Sequence, residues 1–182
     1  IAITNGHAMI PDLHVAGTTG IFSAHAQGAM GDIMTLIDMK PLNYASRFGI
    51  DPGQTMGQAN VDLTFRVPML RDLPIDDTGI SVKAAVDGFG VTLGKLRLND
   101  GTVNFAIDNK TLHQTGTLQL ADTRLAVDWL ETFETPSPIT TRVTVKGQLT
   151  EAARAALNIG LTRILTGPVG VTALLQGHRG SL

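Results

Sequence analysis

The sequence predicts a mainly β protein: a curled antiparallel sheet that forms a groove, folded like a taco, with two short helical interruptions. Three observations predict it. Apolar and polar residues alternate with a period of two in one segment after another, the pattern of strands with one dry face and one wet face. Clusters of Gly, Asn and Asp separate those segments at short intervals, as tight antiparallel connections require. Only two stretches switch to helical spacing. Two short helices cannot cover a sheet of this size, so the sheet has to fold upon itself to hide its apolar face.

Taken in chain order, "IAITNGHAMIPDL" and "TGIFSAHAQG" read as strands diluted by Gly and His. "GDIMTLIDM" follows as a helix, with Asp32 as the expected cap and Ile33, Leu36 and Ile37 on the apolar side. Pro41 ends it and starts a second short helix with Leu42, Ala45 and Phe48 along one side, stopped by Gly49. "ANVDLTFRV" is the clearest strand: Val61, Leu63, Phe65 and Val67 point one way, and Asn60, Asp62, Thr64 and Arg66 the other. "RDLPIDDTG" (71–79) is a loop.

Residues 80–130 then read as an antiparallel meander of short strands, "SVKAAVD", "FGVTL", "KLRL", "TVNFAID", "TGTLQL" and "RLAVDW". Turns are expected at Asp87-Gly88, Asn99-Asp100-Gly101, Asp108-Asn109-Lys110 and Ala121-Asp122-Thr123. "ETPSP" (134–138) is a loop and "RVTV" another strand. The last helix is expected in "TEAARAALNIGLTRI". Thr150 caps it, and Glu151 lies at the positive end of the helix dipole. Ala152, Ala156, Leu157, Leu161 and Ile164 form its apolar side, and Gly167-Pro168 ends it before a final strand.

The two helical regions share one plan: strand, Gly, capped amphipathic helix, Gly/Pro turn, strand. Gly28 and Gly147 fall at equivalent points, the pattern of a degenerate internal repeat. The chain is thus expected to be a single β-rich segment over 1–182. Repeat units at about 20–70 and 139–176 flank the 80–130 meander. It starts at Ile1 with neither a signal peptide nor a lipidation motif, and so reads as a piece of a longer repeating array.

Composition narrows the function. A formal net charge of -2 with scattered Lys and Arg leaves nothing to neutralise a phosphate backbone, so nucleic acid is excluded as a partner. Absence of cysteine removes disulfides, thiolate metal sites and cysteine nucleophiles. No apolar run approaches the ~18 residues that span a bilayer.

His7, His14, His25, His113 and His178 include no pair at helical zinc spacing, and no P-loop or nucleophile elbow occurs. His7 and His14 flank a turn where they can meet Asp12, in the manner of ordinary surface residues. Asp76 and Asp77 read as a solvated turn, since the spaced oxygen ligands of a calcium loop are missing. Ser46 and Ser23, the candidate nucleophiles of a hydrolase, lack the strained elbow such chemistry uses. No cofactor, metal or catalytic residue is expected.

What remains is the apolar face of the strands, and two outcomes compete for it. A closed sheet makes those side chains an ordinary core, whereas an open trough makes them the lining of a groove for an acyl chain. The candidate lining comprises Val61, Leu63, Phe65, Val67, Val103, Phe105, Ile107, Leu118, Leu120, Leu125, Val127, Trp129, Val143 and Val145.

Three stretches carry a resemblance: "LIDMKPLNYASRFGIDPGQTMGQANVDLTFRVPMLRDL", the meander "LRLNDGTVNFAIDNKTLHQTGTLQLADTRLAVDWLETF" and the closing "VKGQLTEAARAALNIGL". Together they resemble the AsmA-like proteins of the proteobacterial envelope, closest to the YhdP branch, with TamB more distant. The similarity runs from about Gly28 to Val171 and rests on the Pro-Leu…Ser-Arg-Phe-Gly-Ile-Asp-Pro phrase at 41–52 and Leu-x-Val-Asp-Trp at 125–129. It implies a non-enzymatic periplasmic β-array whose parent protein is anchored in the inner membrane by an N-terminal helix. Its groove would carry phospholipid acyl chains towards the outer membrane and help maintain the outer-membrane barrier. Partners would be adjacent repeats of the same chain and other envelope proteins. From a different class, the competing expectation is an assembly module that binds partner proteins through exposed strand edges.

Overall fold

The computed structural model describes residues 1–12, 14, 17–39, 51–70, 78–133, 139–160 and 166–178. Nine strands follow one another: β1 (Ala2–Met9), β2 (Thr19–Ala29), β3 (Met56–Pro68), β4 (Gly79–Leu93), β5 (Leu96–Asp108), β6 (Thr111–Leu120), β7 (Thr123–Thr132), β8 (Thr141–Leu149) and β9 (Val169–Gly177). They form a single sheet in the order of the sequence. Every neighbouring pair is antiparallel, and the sheet does not close into a barrel. Helix α1 (Met30–Asp38), a 3-10 turn (Pro52–Gln54) and helix α2 (Glu151–Ala156) complete the described elements. The mainly β class with two short helical interruptions is therefore what the alternation predicts.

Two of the expected turns are β-bulges. "SVKAAVD" and "FGVTL" belong to one continuous strand, β4, whose register shifts at Gly88, where φ is +64°. "KLRL" and "TVNFAID" likewise make one strand, β5, bulged at Asp100 with φ of +46°. Both signals supply the left-handed residue that a bulge needs as well as a turn does. The real β4–β5 turn is Gly94-Lys95, enclosed by the Leu93–Leu96 pair. Asp108-Asn109-Lys110 and Ala121-Asp122 do connect strands as expected.

Both helices leave the same end of the sheet, because β2 and β8 finish where β3 and β9 begin. Helix α1 starts at Met30 with Ala29 as a cap residue that offers no side-chain hydrogen bond. Asp32 is thus not the cap: it lies in the first turn, where its charge faces the positive helix end. The stripe set by that start is Met30, Ile33 and Met34, all buried against Ala26, Ala59, Val61 and Val86, while Leu36 is exposed. A Cβ at Gly31 would stand 3.0 Å from Pro52 O, so glycine lets α1 sit against the 3-10 turn. The second short helix expected after Pro41 lies outside the described residues.

Helix α2 is capped as predicted: Thr150 Oγ1 accepts from Ala153 N at 3.2 Å. The same hydroxyl donates to Asp122, and Thr150 N donates to Thr123 Oγ1 at 3.2 Å, which ties the helix start to the β6–β7 turn. Its buried side agrees with the expected one at Leu157 and differs at the alanines. Ala153 and Leu157 pack on Leu120, Leu125 and Leu149, whereas Ala152 and Ala156 face water. The cap fixes the helix phase, and the hydroxyl of Thr150 has to turn towards Thr123 and Asp122. Leu161 and Ile164 lie outside the described residues.

Candidate functional site

Register places every residue of the predicted lining on one face of the sheet. One row crosses the strands as Ala59, Val86, Val103, Gly116, Val127, Val145 and Ala173. The next runs Ala26, Val61, Ala84, Phe105, Gln114, Trp129, Val143 and Leu175. A third begins Ala24, Leu63, Val82, Ile107 and Leu112. Phe65 pairs with Phe22 and Ile80, and Val67 with Gly20. At the helical end, Leu118 pairs with Leu125, and Leu98 with Leu120. Antiparallel pairing keeps like phase beside like phase, so the period-two pattern of each strand sums to one continuous apolar surface.

Burial divides that surface along the strands. Val61, Val103, Leu118, Leu120 and Leu125 are buried near the helical end. Val103 is 0% exposed, on a sheet one layer thick, which requires curvature that brings neighbouring rows and α1 over it. Phe89 and Phe105 meet edge to face there, ring centres 5.8 Å apart. Further along the strands Leu63, Phe65, Val67, Phe105, Ile107, Val127, Trp129, Val143 and Val145 are half-buried. Burial thus divides the predicted lining into a packed part near the helices and a partly accessible apolar part beyond them.

Two polar residues in the trough escaped the sequence reading. Gln114 lies on the apolar face between Phe105 and Trp129 and is only 4% exposed. Glu131, 1% exposed, accepts a 2.5 Å hydrogen bond from Thr141 Oγ1 on the neighbouring strand. The signal was present in phase: Gln114 stands two residues from Leu112, and Glu131 two from Trp129.

The opposite face is polar. His25 Nδ1 and Asp62 Oδ1 are 2.8 Å apart, and His113 Nε2 and Asp128 Oδ1 3.1 Å apart, both pairs near the surface. A shallow depression of about 370 Å³ lies between them, bordered by Asn60, Asp62, Lys83, Asn104, His113 and Thr115. A second, of about 410 Å³, lies by the β4–β5 and β6–β7 turns beside α2. The first also touches Phe105 and the second Leu120, both of the predicted lining.

His7 is exposed and stands opposite Ser23 across β1 and β2, and His14 contacts Asp12 in water at 3.3 Å. Ser46, Asp76 and Asp77 lie outside the described residues. Among the described residues no group of His, Asp and Glu is placed to hold a metal ion, and no helix is long and apolar enough to cross a membrane. Compared with family models, with curated proteins and with solved structures, the chain matches none.

Proposed function

We propose that this chain is a non-enzymatic, lipid-carrying segment of an AsmA-like envelope protein. Its trough holds phospholipid acyl chains on their way between the inner and outer membranes and so serves the outer-membrane barrier. The supporting observation is the apolar face that crosses the sheet from β2 to β9, interrupted by Gln114 and Glu131, with half-accessible side chains at its centre. Hydrophobic contact is nondirectional, so successive rows of Val, Leu and Phe hold a chain without fixing it at one place. The phrases quoted above supply the rest of the reading: a periplasmic location and a parent protein anchored in the inner membrane by an N-terminal helix.

Photo-crosslinkers at the two faces test this. Those at Phe65, Phe105 and Val127 should capture phospholipid in cells, and those at Asp62 and Asn104, which register puts on the polar face, should not. Equal capture on both faces defeats the proposal.

A second reading has its own support. β1 pairs only with β2 and β9 only with β8, and all eight residues of β1 are exposed. Unpaired edges of this kind accept a further strand from a partner protein or from an adjacent repeat. Native mass spectrometry of the gently purified protein separates the two: bound lipid favours the trough, and a bound protein without lipid favours the edges.

A further inference from the structure

The trough contains a buried amide nitrogen to which the fold gives no hydrogen-bond acceptor. Gln114 sits near the middle of the sheet on β6, in a row that is otherwise apolar, with Phe105 on one side and Trp129 on the other. The residue is 4% exposed, and its Nε2 is buried with no acceptor. A buried amide without a hydrogen bond is destabilising, and Leu or Met would fill the same position at no such cost. A ligand that accepts from Nε2 would remove that cost.

We infer that Gln114 is a specificity residue of the trough, donating a hydrogen bond to the ester carbonyl of an acyl chain lying across β5, β6 and β7. This inference rests on the lipid reading above and names the chemistry that the trough selects. An acyl ester offers a carbonyl acceptor where its hydrocarbon begins, so one donor in an apolar row sets how far the chain slides in. Flanking Phe105 and Trp129 shield the bond from water and strengthen it. Nε2 itself is covered, so the bond forms when Phe105 or Trp129, both half-buried at the open side, moves aside. A dialkyl ether lipid fills the same furrow but lacks the carbonyl, so Gln114 discriminates between the two linkages.

The test exposes the full chain to vesicles with equal amounts of a diacyl phosphatidylglycerol and its dialkyl ether counterpart, then reads the bound species by native mass spectrometry. Wild type should hold the ester lipid in about fivefold excess, the ratio that one neutral hydrogen bond supplies. Gln114→Met, matched in shape but without the donor, should hold both equally and should melt no lower than wild type. Lipid bound without preference by wild type overturns the role of Gln114 and leaves the trough standing. No lipid bound by wild type overturns both. The wild-type ratio decides the matter even if the Met variant fails to fold.

Discussion

At the scale of single residues, Asp108 governs the β5–β6 turn. Its Oδ1 accepts from Lys110 N at 2.8 Å, from Thr111 N at 2.7 Å and from Thr111 Oγ1 at 3.2 Å. The Lys110 backbone N–H, joined by those of Thr111, holds the carboxyl below its ordinary value. Its neighbour Asn109 reaches back to β4, accepting from Ile80 N and donating to Thr78 O, both at 2.7 Å. A carboxyl with a folded pKa below its unfolded one contributes stability above the unfolded value and loses it as pH falls through the folded value. Asp108→Asn keeps an acceptor but not the charge. The variant should therefore melt below wild type at about pH 7 and converge with it as the pH falls below the ordinary aspartate range. The group stands in water, so the gap at neutral pH should stay under about 1 kcal/mol. Thermal melts across that range check this, and a gap independent of pH refutes it. The turn was legible because Asp and Asn bond to their own neighbours. Gln114 was not, because only pairing with Phe105 and Trp129 puts it inside.

At the scale of elements, the alternating strands were legible because each carries its own face in its own phase. The bulges were not, since Asp87-Gly88 and Asn99-Asp100-Gly101 satisfy a turn and a bulge equally and only the partner strand decides. The helices show the same limit: caps and breakers give their position, but the end of the sheet selects the buried side. Arg154 illustrates the point. In sequence it is a charged residue of an amphipathic helix, yet it is 2% exposed, and its Nη1 donates to Leu149 O at 3.0 Å and to Gly167 O at 2.7 Å. It joins the end of β8 to the segment that leads into β9, and α2 is only six residues long, too short to hold itself. Arg154→Met keeps the aliphatic stem and loses both bonds. It should cost about 1.5–3 kcal/mol per charged bond at most, and it should speed amide exchange over 151–157 before the β5–β6 turn is affected. Exchange that rises uniformly over the whole chain, or does not rise, counts against Arg154 as the tether.

At the scale of the whole molecule, the two faces of one sheet carry two different chemistries, and adjacent residues of a strand separate them. Val127 lies in the trough, half-buried beside Gly116 and Val145. Gly116 has a φ of +150°, and a Cβ there would overlap Thr102 O and lie 2.7 Å from Val103 Cα, so this point of the row admits only glycine. Ala126, one residue away, is exposed on the polar side between Thr117 and Lys146. Lysine placed at each position is therefore a comparison of faces with the strand, the depth and the charge held constant. An ammonium at Val127 has to leave water or reach along the furrow to regain it, and in either case it occupies the path of a chain. Val127→Lys should reduce lipid capture by tenfold or more, the effect of about 1.4 kcal/mol or above, with a lower melting temperature. Ala126→Lys should stay within about twofold of wild type in both, as surface changes do. Capture measured with the Phe65 and Phe105 crosslinkers reads the comparison at a distance from the substitution. A chain that lies across many strands is obstructed by one charge in its path, so the loss should appear at both reporters. If Ala126→Lys lowers capture as much as Val127→Lys, lipid is bound by the charge pattern of the surface and not by the trough.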